Sequence, residues 1–467
     1  MVVKKLINGI TLLLLFAGLI ESVWGLGQFL RIWPSGNSRY VFTGSFFNPG
    51  PYCGFLAMIM SFAVFEWKLL KIRQHWGQGL VGMLCTLMLI FIPAGRSRAA
   101  WLALGASLVY FIFFYYRKTF RSWLLSHKNL TIVGGVVLII AIGLMYHFKK
   151  DSADGRLFIW KNAIQAISES PWSGYGWDNV AGIYGEKQEA YFASGNGSKS
   201  EIRIADAPEY IYNEYLHMAM AWGLPVLFLI FLLLLYTLYV GHVAGAQGFT
   251  AGLLSFLVFA AFSYPLKFPE FCASLFLLIT GIYLSAISKL GGPVRFLSGL
   301  IGLGCLMAIL YYGQWTYKRH QYVMEWKQHT KTLQELYPDM LWNARFLFDY
   351  GQQLHKSRKY TESDEVMKAG MRVSSDPMFL VIIAKNAWYQ HHPNEAEHWL
   401  LKATNRVPNR IYPYFLLAKL YGDSICHNKE KFQWAADIVA NREPKVQSLA
   451  VRQMREEIYR LREEWKD

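Results

Sequence analysis

The stretch APEYIYNEYLHMAMAWGLPVLFLIFLLLLYTLYV, residues 207–240, decides the fold. It opens on polar and aromatic residues and runs into an almost unbroken apolar segment. A bilayer demands ~20 such residues in a helix, and this segment supplies them with some to spare. The expected helix covers 211–240. Tyr210, Asn213, Glu214 and His217 fall at helical spacing just before the apolar core, so they are expected on one face at the membrane boundary. Glu214 or His217 has the chemistry of a general base there. The alternative is a hydrated polar entrance to the helix. Gly223 and Pro225 permit a bend.

Working outward, the same apolar signal recurs at 6–29, 52–68, 78–94, 98–116, 130–148, 248–265, 270–288 and 294–312, for about nine candidate spans. The chain has 467 residues and is 54% hydrophobic, with a net charge of +15. The excess of apolar residues lies before about residue 312, so a membrane domain, 1–317, is expected ahead of a polar domain, 318–467. The start of the chain is basic and apolar but lacks a small-residue cleavage site, so the first helix is read as retained. Glu21 is an uncomfortable residue inside it.

The positive charge sits in short loops, which favours a topological meaning over nucleic-acid binding. Lys4, Lys5, Lys68, Lys71, Arg73, Arg117, Lys118, Arg121, Lys128, Lys289 and Arg295 agree on one side, the cytoplasm. The loop 149–209 and the C-terminal domain then fall on the opposite, outer side. The five cysteines are scattered, without metal or disulfide spacing, and packing is their expected role. No Gly-rich phosphate loop, HExxH or GxSxG is present. Inverted repeats of the transporter kind are not visible in the membrane part.

From about 320 the period becomes that of soluble amphipathic helices. LWNARFLFDYGQQLHKSRKYTESDEVMKAGMRVSS (341–375), PMFLVIIAKNAWYQHHPNEAEHWLLKATNRV (377–407) and a third segment that begins PNRIYPYFLLAKLYGD (408–423) each read helix, turn, helix. This resembles tetratricopeptide repeats, which present a concave surface to a peptide or protein partner. A generic helical bundle is the alternative. His391 and His392 belong to a solvated turn.

Two more stretches carry candidate chemistry. FIPAGRSRAAWLALG, 91–105, puts Arg96 and Arg98 at a helix start, with Ser97 as its N-cap. Two guanidiniums at a helix N-terminus suit a diphosphate; the alternative is snorkelling to lipid headgroups. DGRLFIWKNAIQAISESPWSGYGWDNV, 154–180, places Arg156 and Trp160 four apart on one helix face, so that Trp160 orients Arg156 toward an anion or sugar, or simply stacks on it. Trp172, Tyr175 and Trp177 suit stacking on sugar rings, or an interfacial aromatic belt.

Taken in order, Gly95-Arg96-Ser97-Arg98, Arg156 to Trp160, Pro171-Trp172-Ser173-Gly174-Tyr175-Gly176 and Tyr212-Asn213-Glu214-Tyr215-Leu216 resemble the O-antigen ligase and O-antigen polymerase superfamily of bacterial membrane glycosyltransferases. GSFFNPGPYCGFLA, 44–57, looks like an element of Bacteroidota members, several of which carry C-terminal repeats. The resemblance covers roughly residues 5–290. It implies an all-α, GT-C-like polytopic membrane domain in the inner membrane. It further implies metal-independent, inverting glycosyl transfer at the periplasmic face, without a cofactor. The donor is a glycan on undecaprenyl diphosphate, and the acceptor is lipid A-core or another glycan or protein.

By the same resemblance Arg96, Arg98 and Arg156 face the diphosphate, and Trp160, Trp172, Tyr175, Trp177, Tyr212 and Asn213 line the substrate. Members commonly carry histidine immediately before the Asn; this chain has Tyr212 there, so either Glu214 or His217 substitutes, or arginine-driven leaving-group stabilisation suffices, or activity is altered. Members also often have more helices ahead of the first one here. The 154–180 insert is read as part of a lid over the lipid-diphosphate site. A polymerase of the same superfamily, or a non-catalytic scaffold that recruits envelope proteins through its repeats, are the competing readings.

Overall fold

In the computed structural model the described residues are 2–69, 75–148, 150–423, 426–445 and 447–464. Lys71 and Arg73 of the orientation argument lie outside them. Among the described residues every regular element is a helix. The chain divides into two compact units that do not follow chain order. The first comprises Met1–Phe148, Tyr212–Tyr215 and Leu227–Thr316, and the second Lys149–Ile211, Leu216–Val226 and Tyr317–Asp467. The loop expected to belong with the membrane domain thus folds with the C-terminal one.

Among the described residues of the chain, five helices are long and apolar enough to cross a membrane: Val2–Phe29, Arg98–Tyr116, Glu214–Val243, Pro269–Lys289 and Gly292–Lys327. Pro49–Phe65, Val81–Ala94 and Gln247–Ala260 are apolar but shorter. The helix expected to run to 265 stops at Ala260, where the chain turns into the short 3-10 segment Pro265–Lys267. Phe228, Leu229, Phe231 and Leu232 are exposed, as lipid-facing side chains are. Inside the first unit, Gln247–Ala260 packs against Pro49–Leu69 and Arg98–Ser126. Gly54 lets the backbone meet the Phe259 ring, where a Cβ would lie 2.2 Å from the nearest ring atom.

The uncomfortable Glu21 has a structural partner. It is buried, and its Oε2 accepts the Ser45 N–H at 3.0 Å. Gln28, also buried, accepts from Thr43 and Gly44 N–H at 2.8 and 2.9 Å and donates to the Gly44 carbonyl at 3.1 Å. The loop after the first helix is therefore anchored by two polar side chains from that helix. Without Gln28 the Thr43 and Gly44 N–H groups would be buried unpaired, which folded proteins avoid.

In the second unit, the helices Ala344–Lys356 and Tyr360–Val373, Met378–Tyr389 and Pro393–Arg406, and Ile411–Gly422 and Lys429–Asn441 form three successive helix–turn–helix pairs. Each pair packs on the next. Asn343 and Asn428 cap two of the helices by accepting from Phe346 and Lys431 N–H, each at 3.0 Å.

Candidate functional site

The GRSR turn belongs to the first unit. Ser97 is the expected N-cap: its Oγ accepts the Ala100 N–H at 3.4 Å, and the helix Arg98–Ser126 follows. Arg96 has a left-handed backbone, φ 49°, so the chain reverses within one residue. Arg96 is exposed and Arg98 half-buried. Arg98 Nη1 lies 3.5 Å from the Tyr146 carbonyl. Trp101 Nε1–H donates to the Ile92 carbonyl at 3.1 Å, which pins the two helices that meet at this turn.

The 212–215 segment is also in the first unit, and here the expectation needs correction. Tyr210 and Asn213 do not share a helical face with Glu214, because the helix begins at Glu214. Tyr212 has φ 55°, which breaks helical geometry, and Asn213 Oδ1 accepts the Tyr215 N–H at 3.0 Å, closing the turn ahead of the helix. Tyr212 packs edge-on against Tyr264. Glu214 is buried, and its Oε1 accepts the Leu266 N–H at 2.8 Å; Tyr215 donates to the Leu257 carbonyl at 2.9 Å.

Arg156 and Trp160 lie in the second unit, on the helix Lys150–Glu169. Arg156 is half-buried. Trp160 Nε1–H donates to the Ile211 carbonyl at 3.0 Å, so its polar edge holds the chain that returns from the loop.

The glycine run has a specific task in the same unit. The helix Glu214–Val243 breaks at Gly223, whose φ 82° and ψ 168° are non-helical. An unbroken helix would send the N–H of residues 224 and 225 to the carbonyls of 220 and 221. Pro225 has no N–H, and the Leu224 N–H goes instead to the Pro171 carbonyl at 2.7 Å. The stranded carbonyls are filled from the loop: Tyr175 N–H donates to Met220 at 2.8 Å and Gly176 N–H to Ala221 at 2.9 Å. Gly174, φ 65°, comes so close that a Cβ would lie 2.6 Å from Ala221 backbone atoms. Segment 171–176 is thus a backbone clasp on the helix break.

The aromatic residues divide accordingly. The Tyr175 hydroxyl donates to the Ala166 carbonyl at 3.0 Å, an internal role. The Trp177 ring lies 4.2 Å from that of His217 and stacks on Trp222 at 5.0 Å. His217 is only 8% exposed, and its Nε2 has no hydrogen-bond partner among the described residues. Trp172, by contrast, is 79% exposed. Of the three loop aromatics, it alone offers most of its ring to solvent.

Sequence reasoning missed Asp178 and Arg319. Their side chains form a bidentate pair at 3.0 and 2.6 Å, and the Arg319 guanidinium lies 4.3 Å from the Trp342 ring centroid. Asp178 directly follows the aromatic-glycine run, but nothing local signals a partner so far along the chain.

A second polar knot holds the loop's short helix Lys199–Ile204. Glu201 and Ser198 make a reciprocal capping box. Lys161 and Tyr191 donate to the same carboxylate at 3.1 and 3.0 Å. Burial pushes the Glu201 carboxyl up, but hydrogen bonds from Ser198, Lys161 and Tyr191 outweigh it and hold it down at about 2. A depressed carboxyl stabilises the fold fully above its unfolded value of ~4.3 and loses that contribution as pH falls toward the folded one. The protection of the Lys199–Ile204 amides, with exchange corrected for its intrinsic pH dependence, is therefore expected to hold above that value and to fall as pH drops below it. In Glu201→Gln this pH dependence should disappear; an identical profile for the variant would show that Glu201 is not the titrating group.

With this geometry in place, comparison with known families gives a match. Residues 83–231 match the O-Antigen ligase family. The matched segment is less than half of the chain, but it contains the GRSR turn, Arg156, the clasp, Glu214 and the helix break. No curated protein and no solved structure matches. At family level the match supports the O-antigen ligase superfamily and a multi-pass membrane glycosyltransferase of ligase or polymerase type, with a membrane-bound glycan donor and an acceptor. Among the described residues no group of His, Cys, Asp or Glu has the makings of a metal site.

Proposed function

We propose that the chain is an inner-membrane O-antigen ligase-like glycosyltransferase. It moves a glycan from undecaprenyl diphosphate to lipid A-core or another acceptor at the periplasmic face. The observation that carries this reading is the family match over 83–231, which spans the candidate cations and the candidate base. The acceptor hydroxyl attacks the anomeric carbon with inversion, and the sugar–phosphate bond breaks. Diphosphate departs with the electron pair, and Arg96, Arg98 and Arg156 are the cations assigned to its developing charge. Glu214 or His217 takes the acceptor's proton. Both are buried, which suits a proton acceptor kept from bulk water until substrate is bound. Trp172 is the exposed ring available for sugar stacking, and Tyr212 and Asn213 shape the turn ahead of Glu214. No nucleotide is needed, because the sugar–phosphate bond is already activated, and the enzyme of this reading is metal-independent.

The topology that goes with this reading puts the N-terminus in the cytoplasm and the loop and C-terminal helices outside. Its support is that residues 150–211 and 317–464 fold within one unit, so they share a compartment. The chain must then cross the membrane an even number of times between them. Three long helices lie there, and Gln247–Ala260 supplies the remaining crossing; ahead of the loop, Lys128–Phe148 is the fifth crossing, which makes about nine in all and puts the loop opposite the N-terminus.

The test is deletion of the gene followed by analysis of lipopolysaccharide, glycoproteins and lipid-linked donor. Loss of a glycan from one acceptor class with accumulation of full-length lipid-linked glycan supports a ligase and names its acceptor. Accumulation of single repeat units on the lipid supports the polymerase reading. Unchanged glycans leave the scaffold reading.

A further inference from the structure

The second unit holds two sequence-distant pieces together by contacts more specific than apolar packing requires. Helix Val180–Ala193 of the loop packs on Tyr360–Val373 and Pro393–Arg406, the second helices of two successive pairs. Its glycines allow backbone-to-backbone approach: a Cβ on Gly182 would lie 2.2 Å from the Arg372 carbonyl oxygen. Around this contact, polar side chains from the C-terminal part each engage a separate point of the loop. Arg319 holds Asp178, just past the clasp. Buried Arg406 holds Glu189 at 3.1 and 2.8 Å. Ser375 donates to the Pro208 carbonyl at 2.8 Å.

The remaining two serve one purpose. The loop helix Lys199–Ile204 ends with carbonyls that have no helical partner. Asn409 Nδ2 donates to the carbonyls of Ile202, Arg203 and Ala205 at 3.1, 3.2 and 2.5 Å. Lys445 Nζ donates to those of Ile204 and Ala205 at 3.3 and 2.8 Å and pairs with Asp206 at 3.0 Å. A cation at a helix C-terminus also meets the negative end of the dipole. These two residues cap a helix more than two hundred positions earlier in the chain.

We infer that the C-terminal helices are the seat of the outer loop, and that Arg319, Ser375, Arg406, Asn409 and Lys445 are positioning residues that fix residues 150–211, Arg156 among them, for glycosyl transfer. The inference rests on the proposed transferase reading for its consequence, but not for the seat itself. It gives the helical repeats an internal occupant: the second helices of two pairs are covered by the chain's own Val180–Ala193.

The test uses the full-length protein with Asn409→Ala and Lys445→Ala combined, since both act at the surface of the loop rather than in the repeat core. Hydrogen exchange is measured at Lys199–Ile204 and, as a fold control, at Met378–Tyr389, alongside surface-glycan transfer in cells. Losing two helix caps should speed exchange in the loop helix about tenfold and lower transfer by a similar factor, with the control helix unchanged. Lys445→Arg alone should retain both wild-type values, because a guanidinium still caps. Unchanged exchange would overturn the seat. Faster exchange with unaltered transfer would overturn its positioning role. If even the wild-type chain affects no glycan, the transferase reading falls, and the exchange arm still decides the seat.

Discussion

Glu189→Ala is expected to destabilise the second unit by about 3–5 kcal/mol, the usual cost of removing one partner from a buried ion pair. Arg406 is fully buried, and Nε and Nη2 both donate to one carboxylate oxygen of Glu189. Nη1 is buried with no partner among the described residues. The guanidinium therefore has little else to lean on once the carboxylate is gone. Lys402, 3.3 Å from the other carboxylate oxygen, adds a second cation that would be left facing the first. Domains are typically stable by only ~5–15 kcal/mol, so this loss is large. Glu189→Gln should cost less, because its amide oxygen still accepts. Arg406→Met added to Glu189→Ala should recover most of the loss, since an apolar residue of similar length removes the buried charge along with its partner. Thermal unfolding of the detergent-solubilised protein measures all three. A Glu189→Ala variant as stable as wild type would mean that the pair does not hold the loop.

Gly223→Ala should be the most damaging single methyl group in the chain. The backbone at φ 82° and ψ 168° is a region essentially restricted to glycine, and entering it costs a residue with a Cβ ~1–3 kcal/mol. The added Cβ would also lie 2.3 Å from the Trp172 carbonyl oxygen, a backbone atom with little room to retreat. Relief requires the clasp to open, with loss of the hydrogen bonds to Pro171, Met220 and Ala221. At ~1 kcal/mol each these add to the strain. The Trp177 stack on His217 and Trp222 would separate with them. Protease cleavage within 170–179 should rise sharply and glycan transfer should be lost, while the variant remains in the membrane. Pro225→Ala is the milder control. It restores an N–H that can compete for the Ala221 carbonyl, so the clasp should weaken without being expelled. Equal protease resistance in Gly223→Ala and wild type would contradict the clasp.

The parts of this molecule legible in the sequence are those governed by local rules. The apolar run after Leu224 announces a membrane helix, Ser97 is recognisable as an N-cap from its neighbours, and the period of 341–423 announces helix pairs. Long-range pairing left no such trace. Tyr175 and Trp177 look alike in sequence, as aromatics beside glycines. Yet one caps the end of a helix and the other stacks on a histidine forty residues on. Helical spacing suggested that Tyr210 and Asn213 share the face of Glu214. Spacing says nothing about a left-handed residue such as Tyr212, which ends that periodicity. The placement of the loop with the C-terminal helices depends on pairs such as Glu189 with Arg406, 217 positions apart. Each looks like an ordinary surface charge on an amphipathic helix until the two helices are packed.

In the proposed function the chain transfers a glycan from a lipid diphosphate, and Arg156 serves the departing phosphate. Arg156→Ala, expressed in a deletion strain at wild-type level and correctly inserted, tests it most directly when surface glycan and lipid-linked donor are quantified together. Surface glycan is expected to be lost and the donor to accumulate, as in the deletion, because a missing transition-state cation costs orders of magnitude in rate. Full restoration of surface glycan by Arg156→Ala, with no accumulated donor, would contradict it.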